Sequence, residues 1–200
     1  MGRPKKIEGQ EETQSRLLHA AEEAFGASGF RDTRLGDIAA AVGIRRSSLL
    51  YHFKSKEALH AAVVERAFGE LREVVAGSFV GGATLGEQID AIVEALLAFT
   101  TARPGLVCVV LRELVDPRGA GHEQVAREFG GLVDALERVY RDLAGARLRP
   151  GFPVRAAILQ IMSAYLVRAA AGEVGERLWG ADDHTRTLAH ALLVDHAVTA

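Results

Sequence analysis

The chain has few of the residues that tie or break a polypeptide. Among its 200 residues there is one cysteine, Cys108, and there are five prolines. A single thiol excludes an internal disulfide framework. So few prolines leave long stretches free to be helical. Alternation of β-branched with polar residues, the pattern of half-buried strands, is scarce. Long apolar runs are missing as well. Hydrophobic residues make up 48% of the chain, but charge interrupts them, and no run approaches the roughly 18 residues that cross a bilayer as a helix. The opening MGRPKKIEGQEETQ holds no apolar core and does not read as a secretory leader. The expectation is a cytoplasmic, all-α protein of one or two domains.

Patterns that carry catalysis are also absent. The seven histidines are scattered, and no His, Cys, Asp or Glu cluster has metal-ligand spacing. His184 with His190, and Asp195 with His196, read as exposed helix residues. Gly81-Gly82 lacks a following Lys-Ser/Thr, so it is no phosphate loop. Gly77-Ser78 is not a strand-turn-helix nucleophile elbow. Cys108 lies in an apolar stretch and reads as core. No enzyme activity, metal or cofactor is expected.

What is present lies between Gly29 and Leu59, GFRDTRLGDIAAAVGIRRSSLLYHFKSKEAL. Thr33 can cap a helix whose apolar residues Leu35, Ile38, Ala39 and Val42 fall on one face. Gly43 can take the left-handed conformation that ends it, and Ile44 plugs the angle to a second helix. There Leu49, Leu50 and Phe53 share a face, while Arg45, Arg46, Ser48, Tyr51 and His52 are left outside. Ser55 is a candidate N-cap for the next helix, with Glu57 in its first turn. A short helix, a glycine turn and a second short helix make the arrangement that presents one helix to the DNA major groove. Residues 31–56 hold six bases (Arg31, Arg34, Arg45, Arg46, Lys54, Lys56) and two acids (Asp32, Asp37), a local net of +4 in a chain of net −2. Such a basic island suits phosphate binding.

Gly29-Phe30, Thr33, Asp37-Ile38-Ala39, Gly43-Ile44, Leu49, His52-Phe53 and Lys56-Glu57-x-Leu59 resemble the N-terminal motif of the tetracycline-repressor-like (TetR) family of bacterial transcription regulators. The specific part covers about residues 13–60. The resemblance implies an all-α homodimer of about nine helices. Each subunit would have a three-helix DNA-binding head and a ligand-binding, dimer-forming body. It implies that Thr33 and Lys56 touch phosphates and that the helix from Arg45 to Phe53 enters the major groove. Candidate DNA contacts are Thr33, Arg34, Arg45, Arg46, Ser47, Ser48, Tyr51, His52, Lys54 and Lys56. The chain departs from the family pattern at Arg45, Ser47 and Leu50. Leu50 replaces a tyrosine that commonly reaches a phosphate, so Tyr51 or His52 must supply that contact, or it is absent. Arg45 and Arg46 could pair with guanine O6 and N7 or bind phosphate alone.

The domain expectation is a basic arm over residues 1–10, a head over 11–60 and a body over 61–200. Arg3, Pro4, Lys5 and Lys6 could reach DNA or form a plain tail. Helix 1 is expected from about Glu12 to Ala27, ended by Gly29, and helix 4 from after Ser55 to about Val75. Five body helices are expected over 84–102, 105–116, 122–145, 153–171 and 183–198. The apolar stretch GLVCVVLRELV should sit in the middle of the body. The last two helices, with Ile161 and Leu192, should form a dimer seam, although one chain could use them as its own core. A small apolar or amphipathic effector would sit among Phe99, Arg103, Val107, Val110, Leu111, Leu114, Phe129, Leu132, Leu136, Tyr140, Met162, Tyr165 and Trp179. The apolar members of that set would serve equally as plain core. The expected function is a homodimeric repressor released from a palindromic operator on double-stranded DNA by that effector. The alternative is a DNA-binding regulator controlled by a protein partner or by Cys108 oxidation.

Overall fold

The computed structural model describes residues 5–197. They form ten α-helices: α1 (Lys5–Asp32), α2 (Leu35–Val42), α3 (Arg46–His52), α4 (Lys56–Gly77), α5 (Leu85–Thr101), α6 (Pro104–Val115), α7 (His122–Ala144), α8 (Val154–Ala170), α9 (Glu173–Trp179) and α10 (Thr185–His190). A 3₁₀ turn follows α7 at Gly145–Arg147, and a π-helical stretch, Ala191–Asp195, continues α10. There is no β-strand among the described residues. The all-α expectation therefore holds.

Several boundaries differ from the sequence reading. Residues 1–4, with Arg3 and Pro4 of the expected arm, lie outside the described residues. Lys5 and Lys6 already belong to α1, because the Glu- and Gln-rich segment after them favours helix. α1 continues past Ala27 and is broken at Gly29, whose φ of 74° and ψ of 170° suit glycine. α9 is additional to the nine helices expected. Gly175 seats it on α8, where a Cβ would lie 2.4 Å from the Arg168 carbonyl oxygen.

The chain divides into two compact units. One gathers the chain up to Ala67 with Gly105–Ala126, and the other gathers Phe68–Pro104 with the chain from Arg127 onward. α4 and α7 contribute to both. α6 was expected at the centre of the body, yet all of it beyond Pro104 belongs to the first unit. Its apolar character would suit burial in either unit. The choice is made by a glycine pair: a Cβ on Gly26 of α1 would lie 2.5 Å from the Cα of Gly105. Only two glycines let the helices cross so closely.

In the first unit Leu17, Ala21 and Phe25 of α1, Ile38 and Ala39 of α2, Leu49 of α3, and Leu59 and Val63 of α4 are buried. A polar pair is buried with them. His60 Nε2 lies 3.3 Å from Glu113 Oε1, and the rings of Phe25 and Phe30 present edges to the imidazole at 4.9 and 5.3 Å. Glu113 Oε2 accepts from the Gly121 amide at 2.9 Å, and His122 Nδ1 donates to the Glu113 carbonyl at 2.6 Å. Burial pushes His60 down to about 4 and pushes the Glu113 carboxyl up. The facing carboxylate favours imidazolium, but burial among aromatic edges outweighs it.

The second unit begins with a capping box, in which Thr84 and Glu87 bond each other's backbone at the start of α5. Buried Gln88 holds the preceding turn, accepting from the Val80 amide and donating to the Ser78 carbonyl. The Tyr140 hydroxyl donates to the Leu193 carbonyl inside the π-helical stretch at 2.8 Å. Burial pushes that phenol up. His190, expected to be free on a helix surface, is half-buried and lies 2.9 Å from Asp90 Oδ1.

The glycine pair makes opposite predictions at two positions. Gly26→Ala should lower unfolding free energy by about 1–3 kcal/mol, because its methyl meets backbone that cannot yield. Gly69→Ala, in α4 with nothing within 4 Å of the added methyl, should raise it by about 1 kcal/mol. Denaturant unfolding of both variants measures the two signs.

Candidate nucleic-acid interface

The turn between α2 and α3 is built by backbone bonds. Gly43, at φ 77° and ψ 28°, donates to the Ala40 carbonyl, and Ile44 donates to the Ala39 carbonyl at 2.9 Å. This paired pattern closes the helix and satisfies two of its last carbonyls. A third is met from α1, where Arg16 donates to the Val42 carbonyl at 2.8 Å. α3 then starts from an extended Arg45. Its inner side is Leu49, fully buried, followed by Phe53 at 6% exposure. Leu50 and His52 are half-buried. The next helix is capped as expected: the Ser55 hydroxyl accepts from the Ala58 amide at 3.1 Å. A bond from its own backbone amide at the helix start, and then one from the Ser55 hydroxyl, hold the Glu57 carboxyl below the usual carboxylate range.

The outer face gathers most of the residues singled out in the sequence. Arg45, Arg46, Ser47, Ser48 and Tyr51 are all exposed, as are Arg34 and Lys54. Neither Arg45 nor Arg46 has a side-chain partner among the described residues. Tyr51, at 66% exposure, stands at the edge of the His52 ring and carries the Lys54 ammonium 5.7 Å from its centroid. Guanidinium, hydroxyl and phenol groups are thus presented together on one short helix with its flanks. Such donors suit base edges and phosphate oxygens.

Thr33 and Lys56 both make internal bonds, and one expected role, the Thr33 cap, needs correction. Thr33 does not cap α2. The N-cap is Arg34, which makes no side-chain capping bond. The Thr33 hydroxyl is buried and donates to the Gly29 carbonyl at 2.7 Å, with Ala24 O at 3.1 Å. It stitches the break in α1. The Lys56 ammonium is committed inward as well. It donates to the carbonyls of Arg31 and Thr33, each at 3.1 Å, and lies 4.5 Å from the Phe30 ring centroid. Its charge ties the start of α4 to the segment between α1 and α2.

The residues expected to form an effector site fall in both units. Leu136, Tyr140 and Met162 line an apolar cavity of about 70 Å³ in the second unit, with Ile89, Val93 and Leu193 among residues the sequence reading did not name. Tyr165 and Trp179 line a separate groove of about 340 Å³ beside Arg168 and Leu188. Val107, Val110, Leu111 and Leu114 lie on α6 in the first unit. Leu132 is buried on α7 and Phe129 is half-buried. The Phe99 ring supports Arg103, which pairs with Glu70. Ile161, expected on a dimer seam, is buried and borders the apolar cavity. Residues of alternating depth on one helix cannot be assigned to wall or core by spacing alone. Among the described residues no group of His, Cys, Asp and Glu could hold a metal ion, and no single helix is long and apolar enough to cross a membrane.

A glycine-closed turn between two short helices, with the second exposing basic and hydroxyl groups, defines a helix-turn-helix protein. The family model for bacterial regulatory proteins of the tetR family matches residues 17–63, and over that segment the chain is similar to that family. It is 30% identical over 118 residues to the HTH-type transcriptional regulator UidR of Escherichia coli K12, covering 57% of this chain and 55% of that one. It is 35% identical over 98 residues to the HTH-type transcriptional repressor KstR2 of Rhodococcus jostii RHA1, covering 47% and 48%. The chain thus spans about half the length of the curated relatives it matches. Its fold is similar to that of the transcriptional regulator FadR from Bacillus subtilis in complex with stearoyl-CoA. The TM-score is 0.71 at 16% identity, over 90% of this chain and 95% of that one.

The inward role of Lys56 has a measurable consequence. Lys56→Ala should lower the unfolding free energy by about 1–2 kcal/mol in the absence of DNA, through loss of charge-assisted bonds to two carbonyls. Thermal unfolding of the DNA-free protein measures it. An unchanged melting temperature would show that the two carbonyl bonds do not hold the start of α4.

Proposed function

We propose that the protein is a cytoplasmic, homodimeric transcription repressor that reads a palindromic operator with α3. The observation that carries this reading is the division of α3 and its flanks into a buried side, Leu49 and Phe53, and an outer side of unpartnered Arg45, Arg46, Ser47 and Ser48. Reading helices of the two subunits would enter successive major grooves about 34–36 Å apart, or a multiple of that. The family match and the repressor relative support this role. The remaining contacts follow the exposed groups: Arg34, Tyr51 and Lys54 at phosphates, with His52 at their margin.

The dimer seam is proposed on the exposed side of α8 and α10. Ala156, Gln160, Ser163 and Val167 form an exposed line of uncharged residues along α8. Leu188 of α10 is 48% exposed nearby. An apolar or amphipathic effector is proposed to act on the second unit, where Tyr165 and Trp179 border the groove and Leu136, Tyr140 and Met162 the cavity. The stearoyl-CoA bound by the Bacillus subtilis protein supports an amphipathic ligand class. The second reading, control by a protein partner or by oxidation of half-buried Cys108, is favoured by one observation: the cavity is far smaller than the roughly 300–1,000 Å³ of ordinary ligand sites.

Arg45→Ala and Arg46→Ala should leave the melting temperature unchanged and weaken binding to an operator selected from random DNA. A base-reading arginine should cost about 1–3 kcal/mol and relax preference at one position. A phosphate-only arginine should weaken all sequences alike and reduce the salt slope by about one unit. If both variants bind like the parent, α3 is not the reading helix.

Leu188→Glu should convert the dimer to a folded monomer in sedimentation, because two unpaired carboxylates would face each other across a two-fold seam. Ile161→Glu should instead unfold the chain, since that side chain is core. A dimer mass unchanged by Leu188→Glu would place the seam elsewhere.

A further inference from the structure

A cleft of about 410 Å³ opens in the first unit, where the end of α1 lies beside the end of α6 and the Asp116–Gly119 turn. Its floor is fixed by hydrogen bonds. The Arg118 amide donates to Asp116 Oδ1 at 3.0 Å, and the Gly119 amide donates to the Asp116 carbonyl at 2.9 Å. No side chain fits beneath. A Cβ on Gly119 would lie 2.3 Å from Glu113 Oε2, and one on Gly121 would lie 2.6 Å from His60 Cε1.

Three guanidiniums border this cleft, those of Arg31, Arg112 and Arg118. Their internal partners are weak. Arg112 reaches the Ala27 carbonyl only at 3.5 Å, and Arg31 stands 4.0 Å from Asp116 Oδ2. These distances lie beyond ordinary charge-assisted hydrogen bonds. The Arg118 guanidinium has no partner among the described residues. Glu113 gives both carboxyl oxygens to buried His60 and Gly121. Asp116 uses Oδ1 on the turn, which leaves its Oδ2 and exposed Asp32 as the opposing negative groups. Beside the arginines the cleft also exposes apolar surface: the Phe30 ring and Val115, at 70% exposure. An apolar side chain so exposed among under-partnered guanidiniums is the surface an amphipathic anion complements.

We propose that this cleft binds a small organic oxyanion, a phosphate ester or a carboxylate with an apolar flank. Arg112 and Arg118 take the oxyanion, since planar guanidinium forks suit both groups bidentately, and Phe30 and Val115 take the apolar flank. The volume falls within the range of small-molecule sites, which that of the second unit's apolar cavity does not.

The test is calorimetric titration of the full chain, without DNA, with phenyl phosphate, benzoate and phenol. Its outcome is therefore independent of operator binding. Saturable binding of phenyl phosphate or benzoate, with none of phenol, is expected, and the tighter anion identifies the phosphate or carboxylate source. Arg112→Ala with Arg118→Ala should weaken that binding about tenfold or more. Arg118→Ala alone, which removes no internal bond, should weaken it in the same direction and serves if the double variant is unstable. No saturable binding of either anion would overturn the proposal, as would equal affinity in the Arg118→Ala variant. If neither anion binds and the variants lose affinity for random duplex DNA, the cleft is a contact to the DNA backbone and the proposal falls.

Discussion

In water, helices shorter than about 12–15 residues are marginal on their own, and α3 has seven. Its conformation is therefore borrowed from its neighbours. Leu49 and Phe53 anchor it in the core of the first unit, Gly43 sets its angle to α2, and Ser55 starts the next helix immediately after it. α2 is in turn held at its end by Arg16 of α1. Because these supports all act from the inner side or the ends, no side chain on the outer face contributes to holding the helix. That is why two adjacent arginines can stand there without partners.

The same logic explains how much was legible in the sequence. Gly43, Ser55 and the spacing of Leu49 and Phe53 act within one or two helical turns, so their roles follow from local pattern. Thr33 and Lys56 act over longer separations. The Thr33 hydroxyl finds carbonyls four and nine residues back, across the break in α1, and Lys56 finds carbonyls more than twenty residues back. Local reading assigns a threonine before a helix to capping, and here an earlier break in α1 supplies a competing acceptor. The place of α6 was hidden in the same way. Its apolar residues fit any interior, and contacts distant in sequence, Gly26 with Gly105 and His60 with Glu113, assign it. In the second unit, Ile161 and Leu188 both sit in apolar helical patterns, and only packing separates a buried residue from an exposed one.

The buried His60–Glu113 pair shows a different kind of constraint. Two polar groups removed from water must satisfy one another, and here they are enclosed by aromatic edges and by glycines with no room for a side chain. Such pairs add little net stability relative to an apolar core but strongly penalise misplaced neighbours. The turn after α6 is thereby held in one arrangement. Gly119 and Gly121 serve it through the space they leave empty.

The apolar cavity of the second unit, at about 70 Å³, has a kinetic meaning. A molecule several times that volume cannot be taken up without displacing the side chains that line it. It must meet a helix bundle already parted, or part it after landing on the surface. In the first case its apparent affinity is reduced in proportion to the small fraction of time the bundle is open, and its association rate saturates at the opening rate. A substitution that loosens packing around Leu136, Ile158 or Met162 would then speed capture and tighten apparent binding while lowering stability. Response time and sensitivity to such an effector would be set by how tightly these side chains pack.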